Sequence, residues 1–209
     1  MYHVHAFATP NSVKVPIALE ELGVPYRLHA VNVRAGEQRH EAFLALNPNG
    51  KVPVLAEADS DFVLTESAAI LIHLAERHGA LLPVEPRARA RTFEQLFVHA
   101  SGLGPAFGQA GHFRRAAPAD GSAYAIERFA GEAERQLRLL DRVLGEHRFA
   151  AGDSYTIADI AHFGWLWRRG FAGIELADAP NVARWYDEMA ARAAVAAAIA
   201  KVEALAAAN

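Results

Sequence analysis

Asn47-Pro48-Asn49-Gly50-Lys51-Val52-Pro53-Val54-Leu55 runs from a turn into an apolar strand, and Thr65-Glu66-Ser67 follows it at the mouth of an apolar helix. A proline there donates no backbone N–H, so the N–H and C=O of the residue before it are left to pair with a bound ligand. A strand edge beside a helix start suits a small anionic peptide. Working outward, Val52 to Ala56 and Phe62 to Thr65 read as a hairpin pair around Asp59-Ser60-Asp61. Ser67, Ile70, Leu71, Leu74 and His78 share one stripe of a helix that Gly79 ends.

Upstream, Tyr2 to Ala8 has β-type residues and leads into the turn cluster Thr9-Pro10-Asn11. Val15, Ala18, Leu19 and Leu22 recur at helical spacing, with the helix start expected at about Ser12 and Gly23 as its stop. Tyr26 to Val33 is the next strand, and Glu41 to Leu46 a short helix. The first 80 or so residues are therefore α/β. Leu81-Leu82-Pro83-Val84-Glu85-Pro86 is a proline-punctuated linker, beyond which strand signals give way to helical ones. Ile126, Phe129, Ala133, Leu137, Leu140 and Leu144 form a core stripe. Thr156 and Asp159 make a capping box, with Tyr155 and Ile160 as a staple. Pro180-Asn181 opens a helix, and Val195, Ile199 and Val202 mark a final one.

Composition narrows the chemistry. At 209 residues and 52% hydrophobic content the chain buries a substantial core, and a net charge of −3 without a basic block argues against nucleic acid or an anionic membrane as partner. The absence of cysteine excludes disulfides, a cysteine nucleophile and thiolate metal sites, so thiol chemistry must use a sulfur brought from outside. Ten histidines, His3 and His5 on one strand face among them, show no metal-binding spacing, and no metal is expected. The start of the chain has no charged-then-apolar leader pattern and no apolar run reaches about 18 residues, so a cytoplasmic setting is expected.

Taken in order, Thr9-Pro10-Asn11, Leu19-Glu20-Glu21-Leu22-Gly23-Val24-Pro25-Tyr26, Asn47 to Pro53, Glu66-Ser67 and Thr156-Ile157-Ala158-Asp159 resemble the cytosolic glutathione transferases over nearly the whole chain. Thr9-Pro10-Asn11, Gln38, Gly102-Leu103-Gly104-Pro105, Gly108-Gln109 and Tyr124 to Arg128 resemble the bacterial nu class. The resemblance implies a thioredoxin-like domain over 1–80 with Pro53 as its cis proline, an all-helical domain over 87–209, and a homodimer. It implies that glutathione, reduced or oxidised, pairs its cysteinyl backbone with Val52 and sets its γ-glutamyl carboxylate on Ser67, with Glu66 on its ammonium. Thr9 and Asn11 would stabilise the thiolate, Gln38 and Lys51 would hold the glycyl end, and Arg128 would close the site from the helical domain.

Each of these residues has a plainer role open to it: Thr9 and Asn11 as turn and cap, Pro53 as an edge-strand proline, Glu66-Ser67 as a helix cap, Arg128 as a solvated charge. Trp165, Trp167, Phe107 and Phe113 serve either the core or a second-substrate pocket. With no cysteine, and no tyrosine after the first strand, thiolate stabilisation falls to Thr9 and Asn11, with Ser12 as the alternative hydroxyl. The implied activity is glutathione-dependent reduction of disulfides in small or protein substrates. Conjugation of glutathione to an electrophile and a non-catalytic regulatory protein are the alternatives.

Overall fold

The computed structural model describes residues 1–116 and 123–207. They fall into two compact units, Met1–Leu82 with the C-terminal segment from Ala190, and Pro83–Met189.

In the first unit β1 (Tyr2–Ala6), α1 (Lys14–Leu22) and β2 (Tyr26–Ala30) form a β-α-β crossover, followed by a 3-10 turn (Glu37–Arg39) and α2 (Glu41–Leu44). The hairpin β3 (Val54–Glu57) and β4 (Val63–Thr65) leads into α3 (Ser67–His78). The sheet order is β2-β1-β3-β4, with β1 parallel to β2 and antiparallel to β3, and β3 antiparallel to β4. This is the thioredoxin-like arrangement. Alternation along β1 buries Tyr2, Val4 and Ala6 while His3 and His5 lie on the other face. On that face Val54, paired with His5, joins Val31, Phe43 and Val52 in a small apolar cluster.

Several boundaries differ from the sequence reading, each for a local reason. The first helix starts at Lys14 rather than near Ser12, because the Ser12 hydroxyl is engaged by Thr9 and by the backbone of Phe7 instead of capping the helix. Gly23 ends it in the left-handed conformation as expected (φ 64°). The second strand stops at Ala30 rather than Val33. Asn32 accepts from the N–H groups of Arg34 and Ala35, and its own N–H donates to the Glu37 carboxylate, which turns the chain off the sheet.

The second unit contains α4 (Pro86–Val98), a π-helical turn (His99–Leu103), α5 (Gly104–Ala116), α6 (Ala123–Glu146), α7 (Ile157–Trp167) and α8 (Arg169–Ala172). Next comes α9 (Pro180–Ala190), and α10 (Ala193–Ala207) closes the chain. The sequence placed this last segment with the helical domain of 87–209, but it packs in the first unit. The Arg192 guanidinium donates two bonds to the Glu21 carboxylate of α1, at 2.6 and 2.9 Å, Lys201 pairs with Glu20, and Val195, Ala198 and Val202 are buried.

The glycines around α5 are seats for larger side chains. A Cβ on Gly104 or Gly108 would lie 3.2 or 3.3 Å from the Trp165 indole, and one on Gly111 would lie 2.0 Å from the Phe171 ring. Replacing Gly111 with alanine should therefore destabilise the protein by about 1–3 kcal/mol through overpacking, read as a lowered urea midpoint. Gly131, with no atom within 4 Å of its Cβ position, is the control.

His3, His5 and His29 stack across β1 and β2, with ring centroids 4.9 Å apart in both pairs and His3 Nδ1 2.7 Å from His29 Nε2. Burial, then the neighbouring histidines, holds His5 below its ordinary value; burial, then His3 and Arg27, does the same for His29. The unfolded chain therefore takes up protons first as pH falls below about 6.5, and folding stability falls with it. A drop in Tm between pH 7.5 and 5.5 is expected, smaller in the doubly substituted His5→Leu/His29→Leu variant.

Candidate functional site

The loop after β1 is held by its own side chains. Thr9 Oγ1 donates to Ser12 Oγ at 2.9 Å and accepts from the Ser12 N–H at 3.2 Å, while Phe7 N–H donates to Ser12 Oγ at 3.4 Å. Ser12 is fully buried, whereas Thr9 and Asn11 are half-buried. The sequence-expected Thr9 and Asn11 thus lie together at the start of α1, and Ser12 lies beneath Thr9.

At the start of α3, Glu66 is held at φ 65° and ψ 112°, a region that non-glycine residues rarely occupy. Strain of this kind persists where the surrounding structure enforces it, often at binding sites. The distortion leaves Glu66 exposed and places Ser67 as the first residue of the helix, with its backbone and hydroxyl at the positive end of the helix dipole.

Lys14 joins the two helix starts, a role that reading the sequence missed. Its side chain is 1% exposed, and Nζ donates to Asn11 Oδ1 at 2.8 Å and to Ser67 Oγ at 3.4 Å. Burial pushes this lysine down to about 7, opposed by the Glu66 carboxylate. One signal was available: a lysine three residues after Asn11, inside the apolar run Val13-Lys14-Val15-Pro16-Ile17.

The Val52–Pro53 peptide bond is cis, as the resemblance implies, and both residues are buried. Asn47 shapes the turn by donating to Lys51 O at 2.7 Å and accepting from Asn49 N–H at 3.0 Å. A Cβ on Gly50, whose φ is 62°, would lie 3.2 Å from the carbonyl oxygen of Gln38, so this loop and the 3-10 turn are in close approach. Gln38 carries a buried side-chain oxygen without a hydrogen-bond partner, and Lys51 is exposed. Arg128 lies in the second unit, exposed on α6. In that unit Phe107 is buried against Trp165 and Phe113 stacks on Phe129, so much of the aromatic surface is used in packing. Among the described residues no cluster of histidine, aspartate and glutamate has the geometry to hold a metal ion, and no helix is long and apolar enough to cross a membrane.

A β-α-β-β-α unit with a cis proline, joined to a helical unit, matches the family model for the glutathione S-transferase N-terminal domain over residues 8–77 and that for its C-terminal domain over residues 103–193. The chain belongs to the glutathione S-transferase family. It is 38% identical over 210 residues to the disulfide-bond oxidoreductase YfcG of Escherichia coli, covering 97% of this chain and 96% of that one. A crystal structure of a glutathione transferase family member from Pseudomonas fluorescens, with two glutathione bound, superposes with a TM-score of 0.87 at 36% identity, covering 95% of this chain and 92% of the other. A glutathione transferase from Pseudomonas putida, with one glutathione disulfide bound per subunit, gives a TM-score of 0.88 at 32% identity, covering 95% and 90%.

Proposed function

We propose that this protein binds glutathione across the starts of α1 and α3 and uses the thiols of two glutathione molecules to reduce disulfide bonds. The observation that carries the reading is the joining of Asn11, Lys14 and Ser67 in one hydrogen-bonded group beside Thr9, which makes the site rich in donors. Donors near a sulfur favour its anion and lower a thiol pKa that starts at about 8.5. The likeness to proteins described with two glutathione molecules or with glutathione disulfide supports the same reading.

The chain contributes no thiol of its own, since it has no cysteine. The thiolate of one glutathione attacks a substrate disulfide, forming a mixed disulfide and expelling a substrate thiolate that takes up a proton. The second glutathione thiolate attacks the glutathione sulfur of that mixed disulfide, releasing the other substrate thiol and leaving oxidised glutathione. Two glutathione thiols are oxidised and one disulfide is reduced to two thiols.

Thr9 and Asn11 are assigned to the attacking sulfur. The full burial of Ser12 favours this pair over Ser12, with the Thr9 hydroxyl turning its hydrogen from Ser12 Oγ to the sulfur when glutathione binds. In the same reading Val52 pairs with the cysteinyl backbone beside Pro53, Glu66 takes the ammonium and Ser67 the γ-glutamyl carboxylate. Gln38 and Lys51 hold the glycyl end, and Arg128 closes the site. A homodimer in the cytoplasm belongs to the same proposal; the exposed Phe62 and Val63 of the first unit support an apolar interface.

Comparing glutathione-dependent reduction of hydroxyethyl disulfide with conjugation of a chloronitrobenzene tests the reaction type. Faster reduction is expected, and conjugation without reduction would reassign the protein to the conjugating enzymes. A thermal-shift titration with reduced and oxidised glutathione tests binding itself, and no shift with either form would favour a non-catalytic protein.

A further inference from the structure

Most charged side chains of this protein lie at the surface, but Lys14 is buried at the junction of two helix starts, with its ammonium group against Asn11 and Ser67. A surface lysine contributes a solvated charge, whereas a buried one loses hydration and persists only where its hydrogen bonds compensate. Both of these partners are ambivalent groups. An asparagine side chain presents an acceptor on one side and two donors on the other, and a serine hydroxyl both donates and accepts. A lysine ammonium only donates. Its neighbours must therefore turn acceptors toward it.

We propose that Lys14 is a positioning residue that fixes the hydrogen-bond polarity of the site, holding Asn11 with its N–H groups turned to the ligand sulfur and Ser67 with its hydroxyl hydrogen turned to the ligand carboxylate. This rests on the glutathione reading above. The 2.8 Å bond from Nζ occupies Asn11 Oδ1, which leaves the Nδ2 hydrogens as the amide's remaining polar face. A flipped amide would offer oxygen to a thiolate and repel it. The 3.4 Å approach of Nζ to Ser67 Oγ uses an acceptor lone pair of the hydroxyl, so its hydrogen is free to donate elsewhere.

A second consequence follows from the charge. Burial holds Lys14 at about 7, so part of the ligand-free population is neutral near physiological pH. A carboxylate and a thiolate arriving beside Nζ favour the ammonium form, so ligand binding draws a proton onto Lys14. Glu66, at the start of α3, is the acid that acts on Lys14. Glu20 and Glu21 pair with Lys201 and Arg192 toward the other end of α1, and His73 and Arg77, further along α3, pair with Glu57.

Calorimetry with S-methylglutathione in buffers of different ionisation enthalpy measures this proton directly, since the ligand has no thiol to titrate. Wild-type protein should take up a fraction of a proton at pH 7.5 and less at pH 6, where Lys14 is already charged. Lys14→Met should bind S-methylglutathione about tenfold more weakly without that uptake, and should raise the pKa of bound glutathione's thiol by about one unit, a shift that a purely structural role would not produce. Uptake unchanged in Lys14→Met overturns the proposal. So does a thiol pKa of bound glutathione that is unchanged in Lys14→Met, a result that leaves the glutathione reading standing. Failure of wild type to bind S-methylglutathione at all removes the glutathione reading and this inference together.

Discussion

Replacing Asn11 with alanine is expected to lower kcat/KM for glutathione-dependent disulfide reduction about a hundredfold, in line with the loss of one preorganised donor from an anion-stabilising site. The half-buried amide lies beside Thr9 at the start of α1, where a ligand sulfur would develop full negative charge. The substitution also takes from Lys14 its 2.8 Å acceptor. Asn11→Asp is the sharper comparison, since it keeps the shape and the bond from Lys14 but offers acceptors only. It should be at least as damaging. Because catalytic effects mix with folding, both variants need an unchanged unfolding midpoint before their rates are compared. A loss smaller than threefold in both would remove Asn11 from the chemistry.

The largest expected effect on stability lies in the second unit. Asp159 is fully buried and accepts four hydrogen bonds: from Ala150 N–H at 2.8 Å, Thr156 N–H at 2.9 Å, Trp185 Nε1 at 3.0 Å and Thr156 Oγ1 at 3.2 Å. Burial pushes its carboxyl up to about 6 against the pull of those donors. Asp159→Ala strands all four donors in a site that water does not reach, and a cost of about 3–5 kcal/mol follows. Asp159→Asn keeps the volume but must direct its NH2 group at two of those donors, either Ala150 N–H and Trp185 Nε1 or the Thr156 N–H and hydroxyl, so it too should destabilise, by less. Urea unfolding followed by tryptophan fluorescence measures both, since Trp185 reports on the same site. A cost below about 1 kcal/mol for alanine would show that the cluster is not the support for α7 that its geometry indicates.

Where chemistry is local, the fold was legible. Gly23 and Gly79 stop their helices in the left-handed conformation, and Thr156 and Asp159 form the capping box, because each depends on residues within one turn. The hairpin before α3 followed from the turn Asp59-Ser60-Asp61 between two strand-like runs. What was not legible depends on distant partners. The allegiance of α10 rests on Arg192 meeting Glu21, far apart in sequence, and the π-helical turn brings Gly102 and Gly104 against Gln136 and Trp165.

The candidate site divides in the same way. Thr9, Asn11, Val52, Pro53, Glu66 and Ser67 stood out because turn residues, a proline and a helix start carry visible signatures. Lys14 did not. Inside an apolar helix a lysine reads as a solvated tip, and its burial is decided by the approach of α3, which the local sequence does not encode.

The central proposition is that polar groups at the start of α1 convert the thiol of bound glutathione into its anion. Following the ultraviolet absorbance of the thiolate while titrating the complex across pH measures that conversion directly. Ionisation at least one pH unit below the value of about 8.5 for a free thiol is the predicted result. Ionisation of saturating bound glutathione at the same pH as in buffer alone would contradict it.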